Sequence, residues 1–259
     1  MAHSPLSYIH PEARIAESVE IGPFCNIGRD VVIGEGTRLL GSVTIMDGAR
    51  IGRNCTVFPG AVISAIPQDL KFRGEETTAE IGDNCVLREC VTVNRGTASK
   101  GKTVVGNNCL IMAYCHVAHD CRLGNGIIMS NATQLAGEVV VDDCSVIGGG
   151  TMIHQFCHIG SYVMIQGGAL INKDIPPYVK AARHPISFAG LNVIGMKRHG
   201  FTNDEINHAQ EIYHILYQSH LNTRTALERI QNELPDTPLR RAIVDFVEHA
   251  DRGIMKGYE

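Results

Sequence analysis

Aliphatic residues recur every six positions along most of the chain. They stand at Ile9, Ile15, Ile21, Ile27, Ile33, Leu39, Ile45, Ile51, Val57 and Ile63, then at Ile81, Leu87 and Val93. The series resumes at Val105 and runs through Ile111, Val117, Leu123, Met129, Leu135, Val141, Ile147, Ile153, Ile159 and Ile165 to Ile171. An amphipathic helix repeats near 3.6 residues and a half-buried strand near 2, so a strict period of six fits neither. It fits a parallel β-helix, in which short strands joined by tight corners stack coil upon coil. Three hexads make a coil of about 18 residues, with neighbouring coils about 4.8 Å apart. Gly often follows the aliphatic residue, as in Ile21-Gly22, Ile33-Gly34 and Ile81-Gly82. Such Gly and Asn residues read as corner-makers that tolerate unusual backbone angles.

Two segments, 64–80 and 94–104, lack the pattern but preserve its phase, and both read as loops leaving a rigid solenoid. Loops so placed commonly carry binding residues. The hexads stop at Ile175-Pro176-Pro177, and from Thr202 the period becomes helical. Ile206, Ala209, Tyr213 and Leu216 share one face, with Thr202 or Asn203 as N-cap. A second helix is predicted from about Thr223 to Leu234, and a third begins at Pro238 behind Thr237. The expected organisation is therefore a β-helix over 1–185 and an α-helical domain over 186–259 that closes the end of the prism.

Composition narrows the function. Hydrophobic residues make up 44% of the 259 positions, but aromatics only 5%, so an aliphatic, layered interior is expected. A net charge of −4 argues against a polybasic nucleic-acid binder. No stretch approaches about 18 uninterrupted apolar residues, and residues 1–10 show no basic segment leading into an apolar run. A cytoplasmic protein with no membrane span is expected.

Seven of the nine cysteines (Cys25, Cys55, Cys85, Cys109, Cys115, Cys121 and Cys157) hold the fifth position of their hexads. Such phase-locking suits small buried core residues better than metal ligands or disulfides. The histidines carry more chemistry. A coil of three hexads stacks His119 beneath Gly137 and Gly137 beneath Gln155, while Asp120 falls beneath Glu138. A histidine, a bare backbone N–H and an amide in line form a plausible acyl-transfer site, with histidine as base and the N–H meeting an oxyanion. On a flat strand Asp120 would point away from His119; at a corner it could orient the imidazole. Zinc held between copies by histidines is the alternative chemistry. The spacings of His116 with His119 and of His154 with His158 match it poorly.

Several motifs together then resemble the UDP-N-acetylglucosamine O-acyltransferases of the hexapeptide-repeat acyltransferases. They are Gln68-Asp69-Leu70-Lys71, His116-Val117-Ala118-His119-Asp120, Leu135-Ala136-Gly137, Ile153-His154-Gln155-Phe156-Cys157, Pro176-Pro177-Tyr178 and Lys197-Arg198-His199-Gly200-Phe201. The resemblance implies a left-handed coil and a homotrimer with sites between adjacent prisms. It also implies transfer of an (R)-3-hydroxyacyl group from acyl carrier protein to the 3-hydroxyl of UDP-N-acetylglucosamine, the first step of lipid A biosynthesis. The donor is a phosphopantetheine thioester, and neither metal nor other cofactor is expected. By the same resemblance His119 is the base, Gly137 the oxyanion donor and Asp120 a partner of the base. Gln68, Asp69, Lys71, His116, His154, Gln155, Asn192 and Arg198 contact substrate, and Gly167 sets acyl length. One departure is Glu138, where many members carry histidine. Arg183, Lys197, Arg198, Arg240 and Arg241 are candidates for docking the acidic carrier protein. The rival readings are a hexapeptide acyltransferase using coenzyme A or another acceptor, and a trimeric scaffold without activity.

Overall fold

In the computed structural model, which describes residues 2–257, the hexads form a left-handed parallel β-helix. Met1, at the start of the expected β-helix, and Tyr258 and Glu259, at the end of the expected helical domain, lie outside the described residues. Strands mostly two residues long build three sheets of eleven, nine and eight strands, one for each face of a triangular prism. The first face starts at Ala2–His3, the second at Tyr8–Ile9 and the third at Arg14–Ile15. Ile27 pairs with Ile45 and Ile45 with Ile63, each three hexads on. Each aliphatic residue thus sits on its counterpart in the next coil. The second-face column Ile27, Ile45, Ile63, Val93, Val117, Leu135 and Ile153 is at most 2% exposed. Burying each such side chain contributes about 1.5–3 kcal/mol, which is how an interior poor in aromatics stays solid. The seven phase-locked cysteines are all buried, whereas Cys90 is exposed and Cys144 half-buried.

Both irregular segments are narrower than the hexad count suggests. The strand Val62–Ala65 carries past position 64, Thr78–Ile81 resumes before 80, and the flanks of the second break belong to Thr92–Asn94 and Lys102–Val105. The loops proper are 66–77 and 95–101. Ile63 pairs with Val93, five hexads on, and Val93 with Val117, four hexads on. The loops therefore enlarge single coils without shifting the stack, and both leave at the edge between the second and third faces.

The corners correct one expectation. The residue with left-handed backbone is the third after the aliphatic, such as Asn54, Asn84 and Asn108 with φ of 54, 57 and 57°. The Gly directly after the aliphatic has another reason. A Cβ on Gly34 would lie 2.7 Å from the Gly52 carbonyl oxygen, so close stacking excludes it. At the edge between the third and first faces, a ladder of side chains satisfies the corner N–H groups. Arg53 N donates to Asp83 Oδ1, Asp83 N to Asn107 Oδ1, Asn107 N to Asn125 Oδ1 and Asn125 N to Asp143 Oδ1, at 2.6–2.9 Å.

The carboxyl-terminal part begins with an antiparallel pair, Val179–Ala182 and Ser187–Leu191. Four helices follow: α1 (Val193–Arg198), α2 (Asn203–Gln218), α3 (Thr223–Glu233) and α4 (Pro238–Glu248). Thr202 caps α2 in a reciprocal box with Glu205, Asn222 caps α3, and Thr237 caps α4. The helical period does not reveal α1, because its six residues bury only Met196. The Tyr213 hydroxyl donates to the Pro177 carbonyl (2.6 Å), and the Phe246 ring packs 4.5 Å from that of His158. The helices are thereby seated on the last coils. Because each coil templates the next, Ile111→Ala should cost about 2–5 kcal/mol of stability; equilibrium urea unfolding checks this.

Candidate active site

His119 and Asp120 occupy the corner between the second and third faces. Asp120 takes a left-handed φ of 60°, which turns its carboxylate back alongside the preceding residue. Its Oδ2 lies 2.8 Å from His119 Nδ1. The corner thus achieves what a flat strand would forbid. The carboxylate is itself held by the second loop: the Thr97 hydroxyl donates to Oδ2 (2.6 Å), while Thr97 N and Lys100 N donate to Oδ1 (2.9 and 3.3 Å). The Asp120 N–H donates to the Thr103 hydroxyl (2.8 Å). Thr97 and Thr103 carry no spacing signal, and only the folded loop reveals them.

The Nε2–Cε1 edge of the imidazole lies against Gly137. A Cβ there would stand 2.5 Å from His119 Cε1 and 2.6 Å from Nε2, so only glycine leaves the ring its place. With Nδ1 engaged, Nε2 makes no hydrogen bond among the described residues, and 11% of the side chain remains exposed. The Gly137 N–H is the counterpart of the corner N–H groups filled by the Asn and Asp ladder one edge away. Here the residue above is Gln155, whose amide does not turn down, and the Gly137 N–H donates to nothing among the described residues. A histidine nitrogen with a lone pair to offer and an unfilled backbone donor therefore sit side by side.

Other predicted residues gather on this edge. His116 projects from the second face, its Nδ1 2.7 Å from the Thr92 hydroxyl. Burial, and secondarily the neighbouring His119, hold its pKa below the ordinary imidazole value. His154 is exposed, with Nδ1 3.0 Å from the Gln155 carbonyl. In the first loop, Lys71 N donates to Asp69 Oδ1 (2.9 Å), which closes a turn. The Gln68 and Lys71 side chains are exposed there. Glu138, also left-handed at φ 58°, is half-buried above Asp120 and forms no ion pair among the described residues. Cys121 beside the site is buried, and burial pushes its thiol up to about 12, which leaves it protonated and unreactive at neutral pH.

Three predicted residues lie elsewhere. Asn192 caps α1 through Oδ1 and donates Nδ2 to the Tyr162 carbonyl (2.9 Å) at the third–first edge. Arg198, at the end of the same helix, is exposed with no partner among the described residues. Gly167 sits on the first–second edge, where an added Cβ would approach the Gly149 carbonyl oxygen at 3.0 Å. Of the expected docking cations, Arg240 is withdrawn: it bonds Asp236, Gln231 O and Leu234 O, and its side chain is 12% exposed. Arg241 pairs with the same Asp236.

Comparison with known proteins finds relatives over nearly the whole chain. The model of UDP N-acetylglucosamine O-acyltransferase domain 2 matches residues 174–255. That of the bacterial transferase hexapeptide (six repeats) matches 102–137, and that of the GMPPB C-terminal domain matches 3–104. The acyl-[acyl-carrier-protein]–UDP-N-acetylglucosamine O-acyltransferase of Alkalilimnicola ehrlichii is 46% identical over 97% of this chain and 98% of its own. The crystal structure of a UDP-N-acetylglucosamine acyltransferase from Bacteroides fragilis is 55% identical, with a TM-score of 0.96 over 98% of this chain and 99% of that one. The corresponding structure from Acinetobacter baumannii is 39% identical with a TM-score of 0.96, covering 99% and 100%.

The depressed pKa of His116 predicts a direction for acid sensitivity. Below about 6.5 the unfolded chain binds a proton that the folded chain resists, so stability falls as pH drops through that value. His116→Asn should therefore lose less stability than the unsubstituted protein between pH 7 and pH 5; urea unfolding at the two pH values measures the difference.

Proposed function

The chain belongs to the UDP-N-acetylglucosamine O-acyltransferase family, the acyltransferases that open lipid A biosynthesis, and we propose that His119 is its general base. The observation that carries this reading is the corner itself: Nδ1 held by Asp120, Nε2 unpaired, and the Gly137 N–H unfilled beside it. With Nδ1–H donated to Asp120, the Nε2 lone pair faces the incoming acceptor. Nε2 takes the proton from the 3-hydroxyl of UDP-N-acetylglucosamine as that oxygen attacks the thioester carbonyl of the acyl carrier protein. The Gly137 N–H receives the oxyanion. Collapse breaks the carbon–sulfur bond, and the departing thiolate recovers the proton from Nε2, so the base is regenerated. A base of this kind contributes about 10²–10⁴-fold, and one oxyanion donor about 10²–10³-fold. Asp69 and Lys71 on the first loop, with His116, His154, Gln155 and Gln68, surround the sugar and the acyl carbonyl. The reaction uses no metal or cofactor beyond the donor's own phosphopantetheine, and we place it in the cytoplasm.

The site needs more than one copy. Asn192 and Arg198 stand by the third–first edge and Gly167 on the first–second edge, each a full face from His119, or up to roughly 20 Å. Outward residues of the first face are apolar at Val86, Leu110, Ile128, Val146 and Met164, whereas the third face carries Arg14, Arg50, Glu80 and Arg122. On the second face Met152 and Leu170 are 57% and 54% exposed. Laying the first face of one copy on the second face of the next covers these exposed apolar side chains. It also brings the partner's third–first edge, with its Arg198, beside His119, where guanidinium suits a diphosphate. This head-to-tail contact closes as a trimer. The acyl chain then runs inward between the two faces toward Gly167.

His119→Ala should lower kcat/KM by about 10²–10⁴-fold with acyl carrier protein thioesters, and coenzyme A thioesters should serve poorly. Unchanged turnover of the variant overturns the base assignment. Gly167→Met should shift the preferred donor from long chains toward shorter ones; competition between donors of mixed length reads the change. Ile128→Arg should abolish assembly and activity together, as light scattering and a turnover assay would report.

A further inference from the structure

Arg95 lies one coil beneath His119, because Thr92 and Val93 pair with His116 and Val117. It belongs to a short segment, Asn94 to Thr97, whose contacts reach both loops and the catalytic corner. Asn94, 3% exposed, donates Nδ2 to the Ile66 carbonyl (3.1 Å), and Arg95 N donates to the Ala65 carbonyl (3.0 Å). These bonds fix the point at which the first loop departs. Gly96 accepts the Thr77 hydroxyl (2.6 Å) and donates its N–H to the Thr78 carbonyl (3.1 Å), fixing the point at which that loop returns. Between them, the Arg95 guanidinium carbon sits 5.5 Å from the centre of the ring of Phe72, the residue that follows Lys71, within cation–π range. Thr97 then grips Asp120 through both its hydroxyl and its N–H. Gly96 admits no substitute, since a Cβ would lie 2.3 Å from Lys102 N.

We infer that Asn94–Thr97 is a positioning hub that couples the conformation of the substrate loop to the orientation of His119. The inference rests on the role proposed above for His119. Its physical content is that one short segment holds the entry, the exit and the middle of the first loop, and also the carboxylate behind the imidazole. A displacement of Phe72 moves Arg95, and a displacement of Arg95 is passed along the backbone to Thr97 and so to Asp120. Arg95 and Thr97 are thus positioning residues that act through Lys71 and Asp69 on one side and through Asp120 on the other.

A double-mutant cycle on Phe72→Leu and Thr97→Val tests the coupling. Each single change should lower kcat/KM, and the double variant should depart from the product of the two effects by about threefold or more. Effects that multiply to within twofold overturn the hub. Two further measurements do not depend on turnover. In Arg95→Met, amide exchange across 66–77 should speed at least about tenfold, and the NMR ring signals of His119 should move from their positions in the parent. Phe72→Tyr, which keeps the ring, should leave both unchanged. If Arg95→Met leaves loop exchange and the His119 ring signals as they were, the hub is refuted. Absence of acyl transfer by the unsubstituted protein would instead refute the proposed function, while the exchange and ring-signal results would still decide the hub.

Discussion

Everything in this molecule depends on the register between coils. Parallel pairing fixes each residue over its counterpart, so a side chain placed at one corner recurs in space above and below it. The interior uses this to stack aliphatic residues in columns, and the edge between the second and third faces uses it to stack a histidine, a glycine and an amide. A slip of one residue would turn the core outward and scatter the site at the same time. Stability and chemistry therefore share one constraint. Loops that lengthen a coil from three hexads to five or to four are compatible with function only because Ile63 still meets Val93 and Val93 still meets Val117.

The register also decides which polar groups stay open at each corner. A triangular prism has three edges, and each presents a different polar pattern. The third–first edge fills its own corner donors with Asn and Asp side chains, whereas the second–third edge leaves the Gly137 donor unfilled. The outward positions differ by face as well: the later strands of the first carry Leu110, Ile128 and Val146, the second carries Asn26, Thr92 and Gln134, and the third carries Arg14, Arg50 and Arg122.

Much of this is legible in the sequence, for identifiable reasons. The period of six implies the solenoid, and stepping from His119 by whole coils reaches Gly137 and then Gln155. Thr202, Thr237 and Pro238 mark helix starts because capping chemistry is local. What the sequence conceals is what depends on conformation. The left-handed corner that turns Asp120 onto His119 has no motif of its own, and Thr97 meets Asp120 only through the path of a loop. The glycine after each aliphatic reads as a corner-maker, yet its constraint comes from the neighbouring coil and not from its own dihedral angles. Asn192 illustrates a different limit: its place in the family pattern is visible, but its work as the cap of α1 is not.

The ladder of Asn and Asp side chains has an implication for building on this scaffold. It marks the corners where the prism keeps its main-chain donors occupied, and each rung is a single exchangeable side chain. Exchanging Asn107 for glycine would leave the Asp83 N–H open on an edge that lies, within one chain, a full face from His119. A blank socket for an oxyanion would then exist without an imidazole of its own chain beside it. Such a vacant socket would separate, in one molecule, what a lone backbone donor can do for a reacting carbonyl from what it does in company with an imidazole.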